Sequence, residues 1–141
     1  MDELNHTPCY KKVMIIDDNE IDRYIASRNI KKYDFAEEVI LKESANVALD
    51  YLKSLAGTSE DLPQLIFLDI RMPEKDGFDF LKEYEMLPEL IKKSCIILML
   101  STSLSPDDHE RAKHNKYVSK FLNKPLDKEK LIQIKEFTDY R

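Results

Sequence analysis

Short, continuous apolar runs alternate along this chain with stretches in which apolar residues recur at helical spacing. Val13-Met14-Ile15-Ile16 offers no polar position to either side, the pattern of a strand covered on both faces. Val39–Leu41, Leu65–Leu68, Cys95–Leu100 and Tyr117–Leu122 repeat the signal, the last interrupted by Ser119 and Lys120. Between them Ile21, Ile25, Ala26, Ile30 and Tyr33 mark a helix from Asn19 to about Lys32, with Asp18 or Asn19 as its N-cap. Ala45, Ala48, Leu52 and Leu55 mark a second helix, opened by Ser44 and closed by Gly57 as a left-handed cap. Phe78, Leu81, Tyr84 and Leu87 mark a third, stopped before Pro88. Ser105-Pro106-Asp107-Asp108 reads as N-cap, proline at the first helical position and acids in the first turn of a fourth, which runs to about Asn115. Its only apolar anchor is Ala112, so it should lie on the rim. Leu131, Ile134 and Phe137 give the stripe of a fifth helix after Asp127. Five strands alternating with five helices predict βαβ units and a parallel sheet covered by helices on both faces.

With 141 residues the chain fits one domain and leaves little room for a separate output domain. Residues 1–10, polar and carrying Pro8, read as a loose tail before a domain over 11–141. A net charge of -5, with lysines interleaved among acids, argues against a nucleic-acid surface. Cys9 and Cys95 form neither a disulfide framework nor a metal-ligand pattern and read as reduced thiols. The first residues lack a signal-peptide core, and no apolar run is long enough to span a bilayer, so a cytoplasmic location without membrane contact is expected. The chain has only two glycines and no GxGxxG or GxxxxGK[ST] after any strand, which disfavours dinucleotide and P-loop sites.

The chemistry gathers where the apolar runs end. Asp17-Asp18 follows the first, Asp69 the third, Ser101-Thr102 the fourth and Lys124-Pro125 the fifth. In a parallel sheet these ends share one edge, the edge at which ligands bind. Each has an ordinary reading when taken alone: a cap for the acids, a turn for Ser101-Thr102, a solvated side chain for Lys124. Together they predict a cluster of carboxylates, which requires a cation or raised pKa values. Such an oxygen set suits Mg²⁺.

IIDD at 15–18, LDIRMPEKDG at 68–77, LSTS at 100–103 and FLNKP at 121–125 together resemble a response-regulator receiver domain of two-component signalling. The resemblance implies a flavodoxin-like α/β fold, a doubly wound five-stranded parallel sheet of order 2-1-3-4-5 with five helices. It implies a stand-alone regulator that takes a phosphoryl group on Asp69 from a histidine kinase or histidine phosphotransfer protein, catalysing no reaction except on itself. Asp18, Asp69 and the Arg71 backbone carbonyl would hold Mg²⁺, with Asp17 acting largely through water. Ser101 and Lys124 would each meet a phosphoryl oxygen, Ser101 and Phe121 would form the switch, and the Lys124-Pro125 bond would be cis. A downstream protein would read the face made by the fourth helix, fifth strand and fifth helix, or the phosphorylated chain would pair with itself.

Two departures from the family pattern stand out. Ser101 replaces the commoner Thr, and the segment 114–120 lacks a glycine-containing turn; Phe121 keeps the family's aromatic switch position but also fits an ordinary buried strand aromatic. Arg71 and Ser103 should flank the mouth of the site and set how long the phosphoryl group lasts. His6, His109 and His114 read as surface residues. An alternative is a Mg²⁺-dependent aspartyl-phosphate phosphohydrolase like the haloacid-dehalogenase group. Those enzymes carry a second Asp two residues after the nucleophile, where this chain has Arg71. A receiver-like scaffold without phosphorylation is a third reading.

Overall fold

The computed structural model describes residues 8–139, so His6 and most of the expected tail lie outside the described residues. Along the chain run β1 (Tyr10–Ile16), α1 (Glu20–Lys32), β2 (Ala36–Lys42), α2 (Ala45–Ser54), β3 (Leu65–Leu68) and α3 (Gly77–Tyr84). They are followed by α4 (Glu89–Ser94), β4 (Ile96–Ser101), α5 (Pro106–His114), β5 (Val118–Asn123) and α6 (Lys128–Asp139). The strands form one five-stranded sheet in the order β2-β1-β3-β4-β5, and every pairing is parallel.

Strand alternation divides the core into two layers. Met14 and Ile16 of β1, Ile66 and Leu68 of β3, and Ile97 and Met99 of β4 face α2 through α5. Val13, Ile15, Leu65, Phe67, Leu98 and Leu100 face the opposite way, onto Ala26 and Ile30 of α1 and Leu131 and Ile134 of α6. All four residues of β3 are buried, and each such side chain contributes about 1.5–3 kcal/mol on leaving water. The centre of the sheet is therefore fixed most firmly, and the residue that follows β3 is Asp69. Among the described residues no helix is long and apolar enough to cross a membrane.

The structure corrects several expectations. Among the described residues the five expected helices are joined by a sixth, short one: α4 follows Pro88 directly and is held by a single buried residue, Ile91. Six residues with one apolar anchor carry no visible periodicity. The expected fourth and fifth helices are accordingly α5 and α6. Tyr10, assigned to the tail, opens β1 and pairs with Ala36. Ile21 and Ile25 lie on the exposed side of α1, Ile21 being 68% exposed. Gly57 is not left-handed, since among the described residues only Asp34 and Glu74 have positive φ. The chain leaves α5 without a glycine because the Asn115 side chain accepts from the Tyr117 amide at 2.9 Å, forming the turn into β5.

Gly77 has no positive φ, and it is required for space rather than for special dihedrals. Its amide donates to the Ile70 carbonyl at 2.8 Å, and a Cβ there would lie 2.6 Å from the Asp69 carbonyl oxygen. The loop carrying the acceptor candidate thus closes onto the start of α3, where the reciprocal Asp76–Asp79 capping box begins the helix. Gly77→Ala should destabilise the protein by about 1–3 kcal/mol in urea unfolding, the usual range for overpacking. Gly57→Ala, where nothing lies within 4 Å of the added carbon, should be neutral or stabilising by up to about 1 kcal/mol. Equal effects at the two glycines would contradict this packing.

Candidate functional site

Four loops at the carboxyl edge of the sheet supply the site. β1 ends at Ile16 and β3 at Leu68, paired with each other in register, so Asp17 and Asp69 leave adjacent strands side by side. Asp17, Asp18 and Asp69 each place a carboxylate oxygen within 4.8 Å of the others. Asp17 and Asp69 are buried, Asp69 to 6% exposure, whereas Asp18 is exposed and makes no hydrogen bond or ion pair with another described residue. Asp17 Oδ1 accepts from the Asn19 amide at 2.9 Å. Asn19, rather than Asp18, caps α1.

Lys124 reaches this cluster from the end of β5. Its ammonium donates to Asp17 Oδ2 at 2.6 Å and to Asp22 Oδ2 at 2.8 Å, and it stands 3.5 Å from Asp69 Oδ1. The Lys124 amide donates to the Ser101 carbonyl at 3.0 Å, and the Lys124-Pro125 peptide is cis, as expected. Ser101 is buried, and its hydroxyl accepts from the Ser103 amide at 3.1 Å. The O–H remains available as a donor toward the sheet edge. Thr102 is exposed and lines a groove beside Lys124, together with Ile25 and Pro125.

Burial and the neighbouring Asp17 charge push the Asp69 carboxyl up to about 6, against the opposing pull of Lys124. Burial works against the Lys124 ammonium as well, but its hydrogen bonds to Asp17 and Asp22 and the nearby Asp69 outweigh it and hold its pKa above the ordinary lysine value. Three carboxylates surround one ammonium, and Asp18 adds a fourth to the group. This negative excess, with free oxygens on Asp18, fits a hard divalent cation.

The model of the response regulator receiver domain matches residues 13–136. The chain belongs to this family. It is 30% identical over 129 residues to the probable methanogenesis regulatory protein FilR2 of Methanothrix harundinacea, covering 91% of this chain and 81% of that protein. Among solved structures it resembles a two-component response regulator from Cytophaga hutchinsonii, with a TM-score of 0.84 and 26% identity, covering 93% of this chain and 98% of the other. A response regulator receiver protein from Dyadobacter fermentans gives 0.81 and 27%, covering 92% and 96%. The chain spans less than half the length of some other relatives it matches. Receiver domains act as signalling switches and generally bind Mg²⁺ at an acidic pocket.

Two candidates share a partner that the sequence did not reveal. The Arg71 guanidinium meets Asp108 Oδ2 of α5 at 2.5 Å. Ser103 is drawn to the same oxygen at 2.6 Å. Phe121 is half-buried against the core layer of α2–α5, with its ring centroid 4.1 Å from that of the exposed His109. Sequence reasoning missed Asp22 and Asp108. Asp22 could have been found as an acid one turn into α1, on the side that faces the strand ends.

A metal-free site makes a pH prediction. The folded Asp69 carboxyl titrates near 6, above the ordinary carboxylate range, so the fold favours its neutral form. That contribution is complete below the ordinary range and is lost as pH rises through about 6. In chelator, unfolding free energy should fall by roughly 2–3 kcal/mol more in the wild type than in Asp69→Asn between about pH 4 and pH 7. Parallel pH profiles would show that Asp69 titrates normally.

Proposed function

We propose that this chain is a phosphorylation-controlled switch that accepts a phosphoryl group on Asp69 from a histidine kinase or histidine phosphotransfer protein. The observation that carries the proposal is the Lys124 ammonium, held by Asp17 and Asp22 within 3.5 Å of an Asp69 carboxylate that stands at the most buried strand end. Phosphoryl transfer needs alignment and charge neutralisation more than covalent help from the protein. An Asp69 oxygen attacks phosphorus, the bond to the donor's nitrogen or oxygen breaks, and the donor leaves with that electron pair. Lys124 moves from its carboxylate partners toward one phosphoryl oxygen, and the Ser101 hydroxyl donates to another.

Asp18, Asp69 and the Arg71 carbonyl would hold Mg²⁺, with Asp17 acting through water. When bound, the ion supplies positive charge that offsets the acidic cluster and the incoming phosphoryl group. Asp17, already committed to Lys124 and the Asn19 amide, has less freedom to bind metal directly than the exposed Asp18. Self-dephosphorylation would be the only other reaction.

The output surface in this reading is α5, β5 and α6. Of α5 only Asp108 and Ala112 are buried, so the helix is weakly anchored and can shift at small cost. Phosphorylation would bias two existing arrangements rather than create a new one. The face toward the donor in this reading adjoins α1, which exposes Ile21 and Tyr24 and lends Ile25 to the groove that Pro125 also lines.

Acetyl phosphate with Mg²⁺ should add one phosphoryl group to the wild type by intact mass, and none to Asp69→Asn. An adduct that survives in Asp69→Asn would overturn the acceptor assignment. Mg²⁺ affinity, measured by calorimetry, should drop further in Asp18→Asn than in Asp17→Asn; the reverse order would contradict the proposed ligand set.

A further inference from the structure

α5 has two inward positions one turn apart, and one of them is a carboxylate. Asp108 is 3% exposed, although a buried carboxylate is costly unless charged or hydrogen-bonding partners meet it. Its Oδ2 receives two donors from two different loops: Arg71 Nη2 at 2.5 Å from the loop after β3, and Ser103 Oγ at 2.6 Å from the loop after β4. Ser103 in turn donates its amide to Ser101 Oγ at 3.1 Å and accepts the Ser105 amide at 3.2 Å. One oxygen of one side chain therefore joins the acceptor loop, the hydroxyl at the end of β4 and the first turn of α5.

We propose that Asp108 is a positioning residue for the switch. In the unphosphorylated protein it holds Arg71 and Ser103 against α5, and it yields Arg71 when an anion forms on Asp69. The proposal rests on Asp69 being the acceptor. The two ends of the Arg71–Asp108 pair differ in freedom. The Arg71 side chain is 64% exposed and can swing through water, while Asp108 is buried and cannot follow it without moving α5. A phosphoryl group on Asp69 would arise two residues from Arg71 and offer the guanidinium a multiply charged, bidentate partner. Once Arg71 leaves, Asp108 keeps a buried charge with one strong donor removed. Turning that carboxylate toward water displaces the first turn of α5 and loosens Ser103 from its place beside Ser101. The same ion pair thus opposes phosphoryl binding and holds the helix in its resting position.

Beryllofluoride with excess Mg²⁺ provides the test, with binding read by fluorine NMR and α5 followed by amide exchange. The wild type should bind; failure to bind would count against the acceptor reading itself, separately from the role of Asp108. Asp108→Asn should bind about fivefold tighter or more, the lower end of ordinary coupling between sites. In an Arg71→Gln background the same substitution should change affinity less than about twofold, a dependence that general destabilisation would not produce. Equal effects in both backgrounds, or no effect in either, would overturn the proposal. If Asp108→Asn does not fold, Arg71→Gln alone decides, since that side chain is largely exposed. Its exchange over residues 103–112 without the anion should rise toward the level the wild type reaches only with it, and unchanged exchange would overturn the proposal.

Discussion

Lys124 sits among Asp17, Asp22 and Asp69, and this sharing of one ammonium by three carboxylates is the constraint on which the site depends. It reaches across the sheet: Asp17 follows the inner strand β1, Asp69 follows the central strand β3, and Lys124 follows the edge strand β5. Strand order and register bring them together, so the site needs β1, β3, β4 and β5 paired. The ammonium is also insufficient for the charge it faces. Burial first, and then the Asp17 charge beside it, push the Asp69 carboxyl up to about 6 against the pull of Lys124, and the remaining negative excess fits a hard cation.

The site is built on unequal supports. Beneath Asp69 lies the fully buried β3, flanked by core on both faces. On the other side of the sheet edge, α5 rests on Ala112 and on the ion-paired Asp108. Rigid packing keeps Asp69 in place, while a helix held partly by polar contacts can respond to a change in charge. Gly77, pressed against the Asp69 backbone, belongs to the rigid part, and Arg71 bridges the two.

The sheet was legible because each buried strand is a clean apolar run, and the site because its acids, hydroxyl and lysine all end such runs. The α4 helix was hidden by its brevity and by Pro88, which reads as a stop as readily as a start. On α1 the periodicity of Ile21 and Ile25 was real, but spacing cannot distinguish a face turned to the core from one turned to solvent. The need for Gly77 was not legible, since close approach of two backbones leaves no mark in a single sequence. Asp22 and Asp108 were invisible for a related cause: each is an unremarkable helix-start acid whose role comes from a partner 102 or 37 residues away. Arg71 and Ser103 could be singled out from their spacing, two residues after Asp69 and Ser101, whereas the carboxylate that joins them could not.

The most direct measurement locates the phosphoryl group among the clustered carboxylates. An acyl phosphate on aspartate is reduced by borohydride to homoserine, so treating the phosphorylated wild type, digesting it and sequencing the peptides by mass spectrometry marks the residue that carried it. Homoserine should be found at position 69 alone. Homoserine at position 17, 18 or 22, with Asp69 intact, would contradict the assignment of the acceptor and the reading of Lys124 built on it.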